Sequence, residues 1–475
     1  LTDAWNNEAN WDLSRVPNEN DIVTINGVYN YIIIIEANIV ARCKQLRIFG
    51  TLDGITIEPK GTLIIDGLEE LGDDLLFIPD GTIIRNEGLL EIKNLNSPTD
   101  QEAMDIRGTF VNAQGASCRI TDLVMSSNNY SANTREAIRV RLGAQFINSG
   151  TLELDRITGS GIVSQGEFYN QSTGKLFLRN EIQLAGIIIE SPSSPSYFYN
   201  FGEIDVDIEY ATANNALFIN RNSNAYNSGI LRISGGLQRS SSILVLGEFE
   251  NQSSGSIIIS LGKGVQVGNT VTSGSFKNYG TLNIDGDENL PGTGLSLSLA
   301  GYFRNYYKVS VSGYQVGVSL NPSANLYNYE QGLVVIADAV GSGVNNTGDV
   351  FNYGTLEVKN CGNESYRNLN RTSNYETGVI NVFNADGMGL RNLKASQESP
   401  DAIFENIGRL NISVSSGDVA IYNWGESQFN SNGTINITSA GANIFNLQPA
   451  TFSFKGTINL LDGALFNSGY LNLRP

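Results

Sequence analysis

Glu153, Asp205 and Arg232 have the residue types for acid–base chemistry on a sugar polymer. Each lies between two apolar residues that follow an Asn-x-Gly corner or a variant of it, so each faces outward at the same point of a repeat. Arg179, Glu203 and Asp207 flank them. Two carboxylates two repeats apart would be about 10 Å from each other, near the separation at which one carboxyl protonates a leaving oxygen while the other activates water. The plainer account is a solvated face of alternating charge. A second outward stripe, Asn381, Asn411, Asn436, Asn459 and Asn472, could contact a regular ligand such as a glycan chain, or its amides could satisfy one another along the stack. For metal, Asp285, Asp287 and Asn289 match the first alternating oxygen ligands of a calcium loop, but Leu290 stands where that loop needs Gly and Ser296 where it needs a bidentate Glu. Glu69, Glu70, Asp73 and Asp74 form an acidic cluster without ligand spacing and read as solvated loop charge.

The chain has no histidine, which removes Ser-His-Asp and Cys-His nucleophiles and the usual transition-metal ligands. Cys43, Cys118 and Cys361 are far apart, match no zinc or redox spacing and read as core fillers. A formal net charge of -18 argues against nucleic acid and anionic membranes as partners. Cations, neutral glycans or basic proteins fit better. No apolar run approaches the roughly 20 residues of a bilayer-spanning helix, so membrane insertion is not expected. No cofactor is implied, calcium being the one candidate.

These residues are positioned by a repeat. Phrases close to Phe-x-Asn-x-Gly-Thr-Leu-x-Ile recur with a period of roughly 22 to 30 residues, the signature of a solenoid. Copies begin at Phe146, Phe276 and, one residue shorter, Phe351; others begin at Phe168, Phe198, Tyr226, Phe249, Phe303, Tyr327, Phe404, Phe429 and Phe466. After the corner, pairs such as Leu152 with Leu154, or Ile435 with Ile437, alternate into a core with period two. A further strand precedes the Phe, as in Ile138 to Leu142 and Gly317 to Leu320. Each repeat is therefore one coil of two or three short strands. The expected fold is an all-β, right-handed parallel β-helix of roughly eighteen coils rising about 4.8 Å each. Asn-x-Gly is its corner, with glycine expected to supply a positive φ and asparagines able to pair between coils. Corners such as Asn170 to Gly174 and Asn328 to Gly332 insert two residues, which preserves which side faces the core.

Residues 1–40 lie outside the pattern and read as an N-terminal cap, Trp5 and Trp11 plugging the core; residues 41–475 form the solenoid, which is expected to continue beyond the segment. The run Asn10-Trp11, Val16-Pro17 and Asp21 to Ile25, followed by Leu46 to Leu52 and Gly61 to Ile65, resembles the start of large secreted surface proteins of Bacteroidetes-type bacteria. The later repeats are similar in style to haemagglutinin-like β-solenoids. The resemblance implies an adhesin-like protein with β-helical stretches, exported by the type IX route to the cell surface.

The preferred expectation is a non-enzymatic extracellular stalk or adhesin segment of a bacterial surface protein, displaying a repetitive face to a glycan or cell-surface ligand. Its partners would include further domains of the same chain and, through exposed end coils, other copies end to end. A polysaccharide lyase or glycoside hydrolase using Glu153, Asp205 and Arg232 is the competing expectation. A self-assembling filament subunit is the third.

Overall fold

The computed structural model describes residues 4–27, 32–50, 54–67, 74–97, 102–125, 136–191, 193–207, 215–235, 241–261, 263–287, 292–394, 396–414, 419–438, 442–461 and 464–473. Contacts divide the chain into two units, Leu1–Ser242 and Ile243–Pro475. Among the described residues both are parallel β-solenoids, with eight coils in the first unit and, in the second, nine coils and two strands of a tenth. Among the described residues the helix is confined to a single turn, Glu8–Asn10, and no helix is long and apolar enough to cross a membrane.

In the first unit each coil gives one strand to each of three sheets, called first, second and third in chain order. The opening coil supplies Ile22–Gly27, Ile32–Ile35 and Val40–Cys43. Ile22 pairs in parallel with Gln45 of the next coil, so the stack already begins inside the stretch read as a cap. Ahead of it, the Trp5 side chain is buried, the Trp5 amide donates to Ile34 O at 2.8 Å, and Trp11 Nε1 donates to Trp5 O at 2.8 Å.

Period-two burial follows the alternation in sequence. On the third sheet Leu90 and Ile92, Cys118 and Ile120, Leu152 and Leu154, then Leu176 and Leu178 stack coil upon coil into the core. Cys118 thus fills a leucine position, and burial alone pushes its thiol up to about 12. On the second sheet Phe110, Phe146, Phe168 and Phe198 form a column with ring centroids 4.9–5.4 Å apart.

The corner between second and third sheets holds a buried amide ladder. Asn86, Asn112, Asn148, Asn170 and Asn200 each donate through Nδ2 to the Oδ1 of the asparagine one coil on, at 2.7–2.8 Å. Where the corner carries two extra residues, Lys175 still pairs with Thr151, so the insertion loops out and the core register survives. The corner glycine answers to space, contrary to the expectation of a positive φ. A Cβ on Gly150 would lie 2.4 Å from Ala116 O and 2.5 Å from Ala113 O of the preceding coil.

The second unit repeats this plan. Phe249, Phe276 and Phe303 pack in its core, as do Phe404, Phe429 and Phe452. Its corner ladder runs through Asn251, Asn278, Asn305, Asn328, Asn352, Asn374 and Asn406, each step 2.8–2.9 Å, and ends on Ser431 Oγ at 3.0 Å. Another ladder, not foreseen from sequence, ends the first-sheet strands: the buried Asn346, Asn368, Asn392, Asn423 and Asn446 and the exposed Asn467, in steps of 2.6–2.9 Å.

These ladders correct several repeat starts. An aromatic two residues before the ladder asparagine points inward, whereas one immediately before it points outward. Ala225, not Tyr226, continues the Phe198 column. Leu326 and Val350 continue the Phe303 column, leaving Tyr327 and Phe351 stacked outside at 4.8 Å. Phe466 belongs to the first sheet, opposite Phe445.

Candidate ligand-binding faces

The third sheet of the first unit places Glu153, Phe177, Asp205 and Arg232 in one outward row on four consecutive coils, in the register read from the corners. Glu153 lies 3.3 Å from Arg119 and 3.9 Å from Arg179. Arg179 in turn lies over the Phe177 ring at 4.5 Å. Arg232 pairs with Glu203, not with Asp205. Asp207 accepts from Ser234 Oγ at 3.0 Å. Partial burial raises the Asp205 carboxyl above the ordinary range, Asp207 adds to the rise, and Arg179 and Arg232 oppose it. The row is thus a face of cross-coil ion pairs around a half-buried carboxyl, Asp205, that no guanidinium among the described residues contacts directly.

In the second unit Asn381, Asn411, Asn436 and Asn459 form an outward ladder on the third sheet, with Nδ2 to Oδ1 distances of 2.7 Å. Each amide donates to the preceding coil, opposite in sense to the buried corner ladder. Neighbour satisfaction occupies one donor and one acceptor at every interior position and leaves the other hydrogen for solvent or ligand. Asn472 is not a member. It lies on the second sheet opposite Ser453, whose Oγ accepts from it at 3.4 Å, because the Asn467 to Gly469 corner joins the first sheet to the second rather than the second to the third.

Of the calcium candidates, Asp285 is exposed and accepts from Ser312 Oγ on the next coil at 2.9 Å; Asp287 is described but Asn289 lies outside the described residues. Among the described residues no group of three or more His, Cys, Asp or Glu side chains is arranged to hold a metal. Glu69, Glu70 and Asp73 also lie outside the described residues, but Asp74 is no solvated loop charge. Its carboxylate accepts the Glu102 amide at 2.9 Å, and burial first, then Glu102, pushes its carboxyl up to about 8.

Asp74 belongs to a buried polar cluster that sequence reasoning missed. Arg139 lies 3.2 Å from Glu102 and 3.3 Å from Glu136, while Arg141 lies 3.1 Å from Glu102 and 2.6 Å from Asp105. Glu102, Asp105 and Glu136 are at most 5% exposed, so each carboxylate depends on its guanidinium partners. Burial wins over Arg139 at Glu136 and pushes that carboxyl up to about 8. Nothing in the periodic pattern marks these positions, since they lie in and beside the first-sheet strands Leu76–Ile78, Met104–Ile106 and Glu136–Val140 rather than on the repeat motif.

A concavity lies in the second unit, at the corner of second and third sheets. The residue after the ladder asparagine is tyrosine in five successive coils, Tyr279, Tyr306, Tyr329, Tyr353 and Tyr375. Neighbouring ring centroids lie 4.4, 4.3, 6.2 and 4.1 Å apart with planes within 12°. Rings stacked along the coil axis turn their edges and hydroxyls outward. Burial, then hydrogen bonding to Tyr329, raises the Tyr306 phenol, and burial with hydrogen bonding to Tyr375 pushes Tyr353 up to about 12. Tyr307, Glu330, Gln331 and Ser253 complete a groove of about 680 Å³ over the ladder, within the range of ligand sites. A visible sequence signal, the dipeptide Asn-Tyr repeated at coil spacing, marks this site.

Set against protein-family models, curated proteins and solved structures, the chain matches none.

Proposed function

We propose that this chain is a non-enzymatic, extracellular β-solenoid segment of a bacterial surface protein that attaches to glycans through its repetitive outer faces. The tyrosine-lined groove carries this reading. Its hydroxyls recur at the coil spacing, its ring edges supply apolar surface, and a polymer laid along the stack would meet the same contact on each coil. Weak contacts so repeated sum to avidity. The resemblance of residues 1–65 to adhesin-like surface proteins supports the same placement at the cell surface. The test is a glycan-array binding assay run beside a product assay on the same polysaccharides, with and without calcium. Binding without new chain ends, lost in Tyr329→Ala/Tyr353→Ala, is the expected result. New chain ends would overturn it.

A polysaccharide-active enzyme is the second reading, favoured by one observation, the raised carboxyl of Asp205 beside Arg179 and Arg232. Under that reading Asp205→Asn abolishes turnover; unchanged glycan turnover in this variant removes it.

A further inference from the structure

On the outer face of the first sheet of the second unit, the residue preceding each ladder asparagine forms a row across six coils. Its members are Asn345, Arg367, Arg391, Tyr422, Phe445 and Phe466, each in direct register with the next. Alternation fixes their direction, because Val344, Tyr366, Leu390, Ile421 and Ile444 on the other parity are buried. The row therefore begins with an amide and two cations and continues with three aromatic rings.

The cations are under-neutralised. Arg367 and Arg391 share one carboxylate, Glu364, through a 3.5 Å contact from Arg367 and a close ion pair from Arg391. The Nε atoms of both arginines, Oδ1 of Asn345 and Oε2 of Glu364 are buried without a hydrogen-bond partner. Buried polar atoms are rarely left so, and three of these four line one row. Beside the row Glu426 and Asp401 are engaged by Lys394, at 2.5 and 3.3 Å, rather than by the arginines. The aromatic half is accessible: Tyr422 and Phe445 are half-buried on the outer face, and Trp424, 44% exposed, stands edge-on to Tyr422 at 6.5 Å. The Arg391 guanidinium lies 6.0 Å from the Tyr422 ring, which joins the two halves.

A guanidinium fork matches a carboxylate, and aromatic faces pack against the C–H faces of pyranose rings. One sugar advances an extended glycan by roughly one coil, about 5 Å. Duplex nucleic acid fits less well on a chain of net charge -18, because it carries one charge per about 1.7 Å of axis where the acidic glycan carries one per sugar. We propose that this row is a binding site for a carboxylated polysaccharide, with Arg367 and Arg391 holding its carboxylates and Tyr422, Phe445 and Phe466 packing against the following sugars. The site is separate from the tyrosine groove and stands or falls without it.

The test uses polymannuronate and the same polymer after carboxyl reduction, with binding to the whole chain read by calorimetry. The acidic polymer binds, the reduced one binds at least tenfold more weakly, and affinity falls as salt rises. Arg367→Gln/Arg391→Gln loses tenfold or more, Glu364→Gln binds more tightly because it frees the arginines, and Tyr329→Ala/Tyr353→Ala has no effect on this polymer. Tyr422→Ser, which leaves the ion pairs intact, also weakens binding and covers the case in which the arginine variant fails to fold. Absence of polymannuronate binding, equal affinity for the reduced polymer, or indifference to both the arginine and the Tyr422 changes overturns the proposal.

Discussion

Replacing Asn328 by Ala tests whether the buried amide ladder stabilises the stack or merely occupies its corner. Asn328 Nδ2 donates to Asn352 Oδ1 at 2.8 Å and to Thr355 O at 3.0 Å, and its Oδ1 accepts from Asn305 Nδ2 at 2.9 Å. Three hydrogen bonds at about 1 kcal/mol net each are lost, and Asn352 Oδ1 is left buried without its donor, adding about 1–3 kcal/mol. Asn305 Nδ2 is spared, because Tyr307 O and Leu333 O still accept from it at 3.2 and 3.3 Å. The expected cost is about 4–6 kcal/mol. Asn436→Ala is the matched control. It loses one donation and one acceptance, both 2.7 Å, but its position is half-buried, so water replaces them at a cost of about 0–1 kcal/mol. Asn328→Ser should fall between, since Ser431 Oγ already accepts from Asn406 at 3.0 Å where the ladder ends. Solenoids need not unfold in one step, so the readout is amide hydrogen exchange in Lys308–Ser312 and Leu333–Ala337, the third-sheet strands beside the corner. Costs for Asn328→Ala and Asn436→Ala that agree within 1 kcal/mol would refute the argument.

The first unit should lose stability as pH rises from about 4.5 towards 8. Glu136 and Asp74 carry carboxyls raised to about 8, so the proton that stabilises the fold is fully present below the unfolded pKa and lost through the folded one. At about 1.4 kcal/mol per pKa unit the loss amounts to a few kcal/mol, and Glu136→Gln should flatten the profile measured by thermal unfolding from pH 4 to 9. Gly354→Ala places a Cβ 2.2 Å from Tyr329 O and 2.3 Å from Gly332 O, so it should cost about 1–3 kcal/mol and reduce glycan binding by distorting the groove. Cys43 and Cys118, fully buried with raised thiols, should resist thiol reagents until the first unit unfolds, as mass spectrometry of labelled protein would report.

Architecture was legible because a solenoid writes its register into every coil. Spacing from Asn148 and Gly150 gave the inward pair Leu152 and Leu154, the outward Glu153 and its alignment with Phe177, Asp205 and Arg232. The failures share a cause, the choice of phase. An aromatic next to asparagine reads from sequence as the core aromatic at Tyr226, Tyr327, Phe351 and Phe466 yet faces outward, and Asn472 lies one strand earlier than its spacing suggests. Amide pairing decides the phase, and it becomes visible only when two coils are superposed. The buried cluster of Asp74, Glu102, Asp105, Glu136, Arg139 and Arg141 was illegible for another reason. Its members meet across coils and lie in and beside first-sheet strands, where the repeat motif imposes no residue type.

The same geometry explains where recognition can arise in such a chain. A parallel coil cannot present an isolated side chain, because its neighbours in register lie one coil above and below at about 4.8 Å. Chemistry is therefore written in rows, and a row changes character only when several coils change together. Within the second unit three rows do so: hydroxyl-bearing rings from Tyr279 to Tyr375, amides from Asn381 to Asn459, and arginines giving way to aromatics from Arg367 to Phe466. Each is matched in pitch to an extended polymer and mismatched to a compact small molecule, which would engage two coils and leave the rest of the row unused. A row-by-row substitution series should therefore show affinity for long oligosaccharides falling steeply with the number of coils altered, while affinity for a disaccharide changes little. Equal sensitivity of disaccharide and long polymer would mean that recognition is confined to one coil and that the repetition serves the fold alone.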